Sequence, residues 1–146
     1  MIAKYREELH AADLELWVVL YTENFRQTDM GVIRSFLDEF DGISLWFWNE
    51  KEVLEDYDKY IDTYLEITKG KKHLVGCYLY DFGAAKSATA KAVIHQLDKA
   101  REMINKGSID GVILHTNAVV VKEGEEPYEA VEACVAWMNE HGDEIV

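Results

Sequence analysis

The chain has little of what marks the commoner functional classes. Its 146 residues include one proline and two cysteines. Cys77 and Cys134 make no C-x-x-C or metal-ligand spacing, so each reads as a small buried hydrophobe and no disulfide framework is expected. His, Asp and Glu show no zinc spacing either, and no metal is expected. There is no G-x-G-x-x-G or Walker loop and no serine or cysteine nucleophile motif, so no nucleotide or other cofactor is expected. No apolar run approaches the ~20 residues of a membrane helix. Residues 1–13 are charged throughout and do not read as a signal peptide; the compartment stays open. Positive charge is also scarce, with 15 basic against 28 acidic residues and a net charge of −13. Such a field repels phosphate backbones and anionic lipid surfaces, so neither nucleic acid nor membrane is expected as a partner. A solvated acidic surface that maintains solubility accounts for it.

What is present is a globular composition, 49% apolar and 29% charged. A chain of this length fits one domain, 1–146, and buries roughly two-thirds of the surface its unfolded form exposes. No linker or low-complexity segment divides it. Residues 1–13 read as a helix. LELWVVLYT (14–22) then reads as a strand, and residues 28–40 as a helix with Ile33, Phe36, Leu37 and Phe40 as its buried stripe and Gly42 as its stop. ISLWFW (43–48) is a second strand. Asn49 and Glu52 form a capping-box pattern opening a helix to about Thr68. HLVGCYLY (73–80) is a third strand, followed by a helix over 85–106 that Gly107 ends. GVILHT (111–116) is a fourth strand. A loop then leads to Pro127, placed to open a last helix lined by Val131, Cys134, Val135 and Met138.

Strand ends near residues 21, 48, 80 and 116 recur at about the length of a βαβ unit, so the strands should be parallel with right-handed crossovers. Four βα units fit half of a (βα)8 barrel, or alternatively a doubly wound, flavodoxin-like sheet. The strands favour the barrel. Trp46 and Trp48 share one face of the second strand, Tyr78 and Tyr80 one face of the third, and Tyr21 and Glu23 one face of the first. Amphipathic rings near strand C-terminal ends suit a barrel mouth, whereas doubly wound strands are apolar on both faces. Four strands do not close alone, so a homo-oligomer or a missing barrel half is expected to cover the aromatic face.

The runs ISLWFW, HLVGCYLYDFG and SIDGVILHTN, followed by PYEAVEACVAWM, resemble the C-terminal part of uncharacterised bacterial (βα)8-barrel proteins of glycoside-hydrolase style. The likeness spans most of residues 14–141, and its Glu-Ala-Val-Glu run is Glu129–Glu132. The resemblance implies a barrel and a saccharide as ligand; the N-terminal half of such a barrel has no counterpart here.

In such barrels the sites lie where strands end. Those positions hold Tyr21, Trp46, Trp48, Tyr78, Tyr80, His115 and Asn117 as candidate saccharide contacts, the flat rings matching sugar C–H faces. Glu23 and Asp81 are the candidate catalytic pair, because two carboxylates flanking a glycosidic bond can serve as acid and as nucleophile or base. Beside this stand plainer readings: Glu23 as a loop carboxylate, Asp81 as a turn or cap residue, the rings as core or interface packing, and His115 as a packed histidine. Two functions follow, a carbohydrate-active half-barrel that binds or hydrolyses a saccharide, and a non-catalytic assembly module whose aromatic sheet face is an interface.

Overall fold

The computed structural model describes residues 2–116 and 128–144. In chain order the elements are α1 (Ile2–Ala11), β1 (Trp17–Tyr21), α2 (Thr22–Gln27), α3 (Met30–Leu37), β2 (Gly42–Trp46), α4 (Glu50–Glu55) and α5 (Tyr57–Ile67). There follow β3 (Lys72–Tyr78), β4 (Tyr80–Asp81), β5 (Lys86–Ser87), α6 (Ala90–Asn105), β6 (Gly111–His115) and α7 (Glu129–His141), with a short 3₁₀ turn at Gly142–Glu144. The long strands form one parallel sheet in the order β1-β2-β3-β6, each beside its successor. The α/β class and the four parallel strands are as the sequence predicts. Pro127 and Asn117 lie outside the described residues.

Several boundaries differ from expectation for local reasons. Thr22–Gln27 is helical directly after β1, and the Asn24 side chain accepts from the Tyr21 amide at 2.8 Å. The helix expected from Asn49 to Thr68 breaks at Asp56 into α4 and α5. β3 ends at Tyr78, and Tyr80 belongs to a separate two-residue hairpin with β5, so Tyr78 and Tyr80 do not share one strand. Gly42 opens β2 instead of stopping a helix. Gly107 does end α6: at φ +68° it follows a Schellman closure, Ser108 N donating to Met103 O and Gly107 N to Ile104 O.

Strand alternation sorts the sheet into two unlike faces. Leu20, Ile43, Leu45, Phe47 and Val75 are buried with Ile33 and Leu37 of α3, Tyr57, Ile61 and Tyr64 of α5, and Ala92 and Ala100 of α6. Cys77 and Leu79 continue this core against Val93 and Leu97 of α6 and Ala130, Cys134 and Trp137 of α7. Tyr64 is fully buried and its hydroxyl donates to Ile43 O at 2.6 Å, fastening α5 across the start of the sheet. The opposite face, with Trp17, Val19, Ser44, Trp46, Leu74 and Ile113, joins neither cluster. There, large rings lie on glycines. A Cβ on Gly42 would overlap the Trp17 ring, and one on Gly76 the Trp46 ring. Trp46 Nε1 donates to the buried Ser44 Oγ at 3.0 Å, which satisfies both.

Two apolar stripes differ from expectation. Phe36 is 46% exposed although Ile33 and Leu37 beside it are buried. On α7 the buried residues are Ala130, Cys134 and Trp137, while Val135 (54%) and Met138 (42%) face outward. α1 has no buried side chain and is held by polar contacts at the N-terminal end of the sheet. Arg6 donates to Asp41 Oδ1 at 3.2 Å, His10 Nε2 lies 2.8 Å from Oδ2, and Leu16 N donates to Oδ2 at 2.8 Å.

Two outcomes are expected. Gly76→Ala forces Trp46 off its seat and should destabilise by about 1–3 kcal/mol, the range for overpacking, read as a lower urea midpoint. The Leu16 amide, with His10 and Arg6, holds Asp41 down to about 2. A carboxylate depressed in the folded state contributes stability above its unfolded value of about 3.9, and that contribution is lost as pH falls toward 2. Asp41→Asn should therefore flatten the stability–pH curve between about pH 4 and 2, measured by urea unfolding.

Candidate functional site

At the C-terminal ends of the strands the aromatic candidates converge into one chain of rings. Tyr21 meets Trp48 edge-on with centroids 5.7 Å apart. Trp48 stacks on Phe82 at 5.5 Å. Phe82 in turn meets Tyr78 at 4.6 Å and Tyr80 at 5.1 Å. Tyr78 lies 4.5 Å from Trp46, and His115 stands edge-on to both, at 5.4 and 5.9 Å. Each pair falls within the range where aromatic contacts add to area burial. Trp48 is still 39% exposed and His115 is exposed, whereas Trp46 is buried beneath its neighbours. Burial pushes the Tyr78 phenol up, and the adjacent Tyr21 phenol raises it further.

The hub of this chain, Phe82, is not singled out by sequence reasoning. Its signal is its place directly after Asp81 in the turn that follows β3. That turn is pinned twice. Asp81 is buried, and its Oδ1 accepts from Ala84 N at 3.0 Å; Gly83 N donates to Trp48 O at 3.2 Å. A Cβ on Gly83 would stand 2.6 Å from Asn49 Cβ, so glycine permits the turn to lie on the end of β2. Asp81 is thus a turn carboxylate facing its own loop. The cavity beside it, between Phe47, Asn49, Tyr78 and Gln96, holds about 10 Å³, room for about one water.

A second residue that sequence reasoning places differently is Glu52. Asn49 Oδ1 accepts from Glu52 N at 2.9 Å, so the cap on α4 forms as expected. The Glu52 carboxylate does not turn back to the Asn49 amide. It is buried, and its Oε2 accepts from Thr22 Oγ1 at 2.6 Å and from Trp48 N at 3.1 Å, while Oε1 accepts from Arg26. This one carboxylate ties α2, directly after β1, to the Trp48 loop. Its four-residue spacing from Trp48 is the only trace of this in the chain.

Glu23 lies in the first turn of α2, paired with Arg26, which holds its carboxyl below the usual range. It is not brought against Asp81, which faces its own turn. Burial pushes the Cys77 thiol well up, so no thiolate is available at neutral pH. Among the described residues no cluster of His, Cys, Asp and Glu could hold a metal ion, and no helix is long and apolar enough to cross a membrane. A basin of about 910 Å³ opens at the other end of the sheet, beside Trp17 and Phe40. Its cations are already engaged, Arg6 by Asp41, Lys72 by Glu15 and Lys71 by the carbonyls of Asp38 and Phe40.

No family model, no curated protein and no solved structure matches this chain. What fold and site define together is an α/β protein with a four-stranded parallel sheet and a cluster of rings at the strands' C-terminal ends.

Glu52→Ala leaves the buried Thr22 hydroxyl and the Trp48 amide without an acceptor. It should cost about 2 kcal/mol, the scale of unsatisfied buried donors, and loosen Trp48. Glu52→Gln should restore part of the loss. Denaturant unfolding together with the Trp48 emission maximum measures both.

Proposed function

We propose that the chain is half of a (βα)8 barrel whose C-terminal mouth binds a saccharide on a platform of Tyr21, Trp48, Phe82 and Tyr80, with His115 on its rim. The half-barrel reading is supported by the sequential strand order and by the clustering of buried helical side chains on one sheet face. A flavodoxin-like sheet reverses its order at a switch point, and no such reversal occurs among the described strands. The site reading rests on one observation, an exposed indole held flat between a stacked Phe82 and an edge-on Tyr21. A ring fixed by its neighbours loses little side-chain entropy when a sugar's C–H face settles on it.

The reading is of binding. Hydrolysis with acid and base on opposite sides of a bond needs two facing carboxylates. Glu23 is committed to Arg26, and Asp81 to Ala84 N. The assembly-module reading is favoured by a separate observation, that among the described residues Val19 is exposed and Trp17, Leu74 and Ile113 only half-buried on the sheet face away from the helices.

Tryptophan fluorescence titrated with neutral mono- and oligosaccharides tests the site. The parent should show a saturable shift, Trp48→Ala should abolish it, and Glu23→Ala should bind as the parent does. No response to any saccharide would refute the binding site.

A further inference from the structure

The half-barrel reading leaves two unpaired strand edges and one uncovered face, and the chain carries matching surfaces for all of them. Parallel sheets are ordinarily covered on both faces. Among the described residues β1 and β6 are the outer strands, each of five residues and running the same way. On the face between them β1, β2, β3 and β6 present no carboxylate, in a chain with 28 acidic residues. A surface meant for water in so acidic a chain would carry some. One meant for desolvation against a like-charged partner would exclude them.

The flanking helices add a second, independent observation. On α3, Arg34 points toward α5, where it donates to Glu66 at 2.8 Å. Val32 and Phe36 lie one turn apart on the flank opposite Arg34, 61% and 46% exposed. That flank is the β1 side. On α7, Trp137 Nε1 donates to Asp98 of α6 at 2.7 Å, which places α6 on one flank. Val135 and Met138 stand exposed on the other, beside the partly buried Val131, and a shallow hollow there is lined by Val131, Val135 and Ala136 with Glu132 and Asn139 as its polar members. That flank is the β6 side. Each open edge therefore has its own exposed apolar helix stripe.

We propose that two copies of this chain close on each other about a two-fold axis along the strands. A rotation about that axis keeps all eight strands parallel. It brings β6 of each copy beside β1 of its partner and sets the α7 stripe of each on Val32 and Phe36 of the other. One chain supplies both sides of the seam, so the contact is self-complementary and occurs twice, as closed two-fold symmetry requires. Closure removes both strand edges and fills the interior with the rings and aliphatic side chains of both copies. The inference rests on the half-barrel reading and adds the identity of the second half.

Light scattering and sedimentation of the full chain, without saccharide, give the test. The expected mass is twice the 16.8 kDa of one chain. Val135→Glu and Val32→Glu change exposed side chains and should keep the far-UV circular dichroism. Each should weaken association on the order of a hundredfold. Val135→Glu combined with Val32→Lys places opposite charges at both seams and should restore the dimer. Trp48→Ala should stay dimeric, so loss of saccharide response and loss of assembly are read separately. A parent that remains a monomer would overturn the proposal. A dimer indifferent to both seam variants but broken by Ile113→Glu would also overturn it, because the copies would then meet face to face without closing.

Discussion

The structure depends on one constraint: successive side chains of a strand point to opposite faces, and here the helices occupy only one of them. At one parity Leu20, Ile43, Leu45, Val75 and Cys77 are buried under α3, α5, α6 and α7, and only the edge residue Leu114 of that parity stays 39% exposed. The other parity has no helix packed on it among the described residues and solves its packing within the sheet. Trp17 lies over Gly42 and Trp46 over Gly76, each indole using a neighbouring strand's missing Cβ as its floor. This removes ring surface from water without a second layer. It also explains why Trp46 is buried while Val19, on the same face, is 48% exposed.

The same economy operates at the strand ends. Glu52 is a buried carboxylate made tolerable by three donors, two of them neutral, and those donors come from α2 and the Trp48 loop. A charge this well satisfied stabilises through geometry more than through Coulomb attraction, because losing any partner exposes the cost of burying the rest. It fixes where Trp48 leaves β2. The turn at Asp81–Gly83 then sets Phe82 against that indole, through Gly83 N and Trp48 O. The ring platform is thus built on backbone positions determined by polar groups beneath it, an arrangement that holds aromatic surface open toward solvent.

Much of this was legible in the chain. Four strand–helix units, their parallel direction and the ring-bearing strand ends follow from period-two runs alternating with longer amphipathic ones, because burial at those periods is what forms the elements. The convergence of Tyr21, Trp48, Tyr78 and His115 follows from strand ends being coplanar in a parallel sheet. Glu52 and Phe82 were not legible. Glu52 matches a capping box, and only tertiary contacts reveal that Thr22 and Arg26 compete for its carboxylate and win. Phe82 sits in a turn, where no periodicity assigns a direction. Glu23 reads as a strand-end carboxylate, but α2 begins immediately after β1 and turns it toward Arg26.

The misassigned helix faces are the most informative difference. Val131, Val135 and Met138 on α7, and Phe36 on α3, have the spacing of core stripes, yet three of these four are exposed and Val131 is only partly covered. Periodicity records that a stripe is selected for burial; it does not record against which chain. α7 carries two such stripes, one against α6 and the residues Cys77 and Leu79, and one of which Val135 and Met138 are exposed. A charged chain whose uncovered sheet face lacks carboxylates shows the same pattern in a different residue class. Two unrelated features therefore stand on opposite sides of the sheet, apolar helix stripes at both edges of the helical layer and absence of acid on the face away from it. Under the proposed pairing both would leave water, at roughly 25 cal/mol per Å² of apolar area, and the core would be divided between two molecules, each specifying its share.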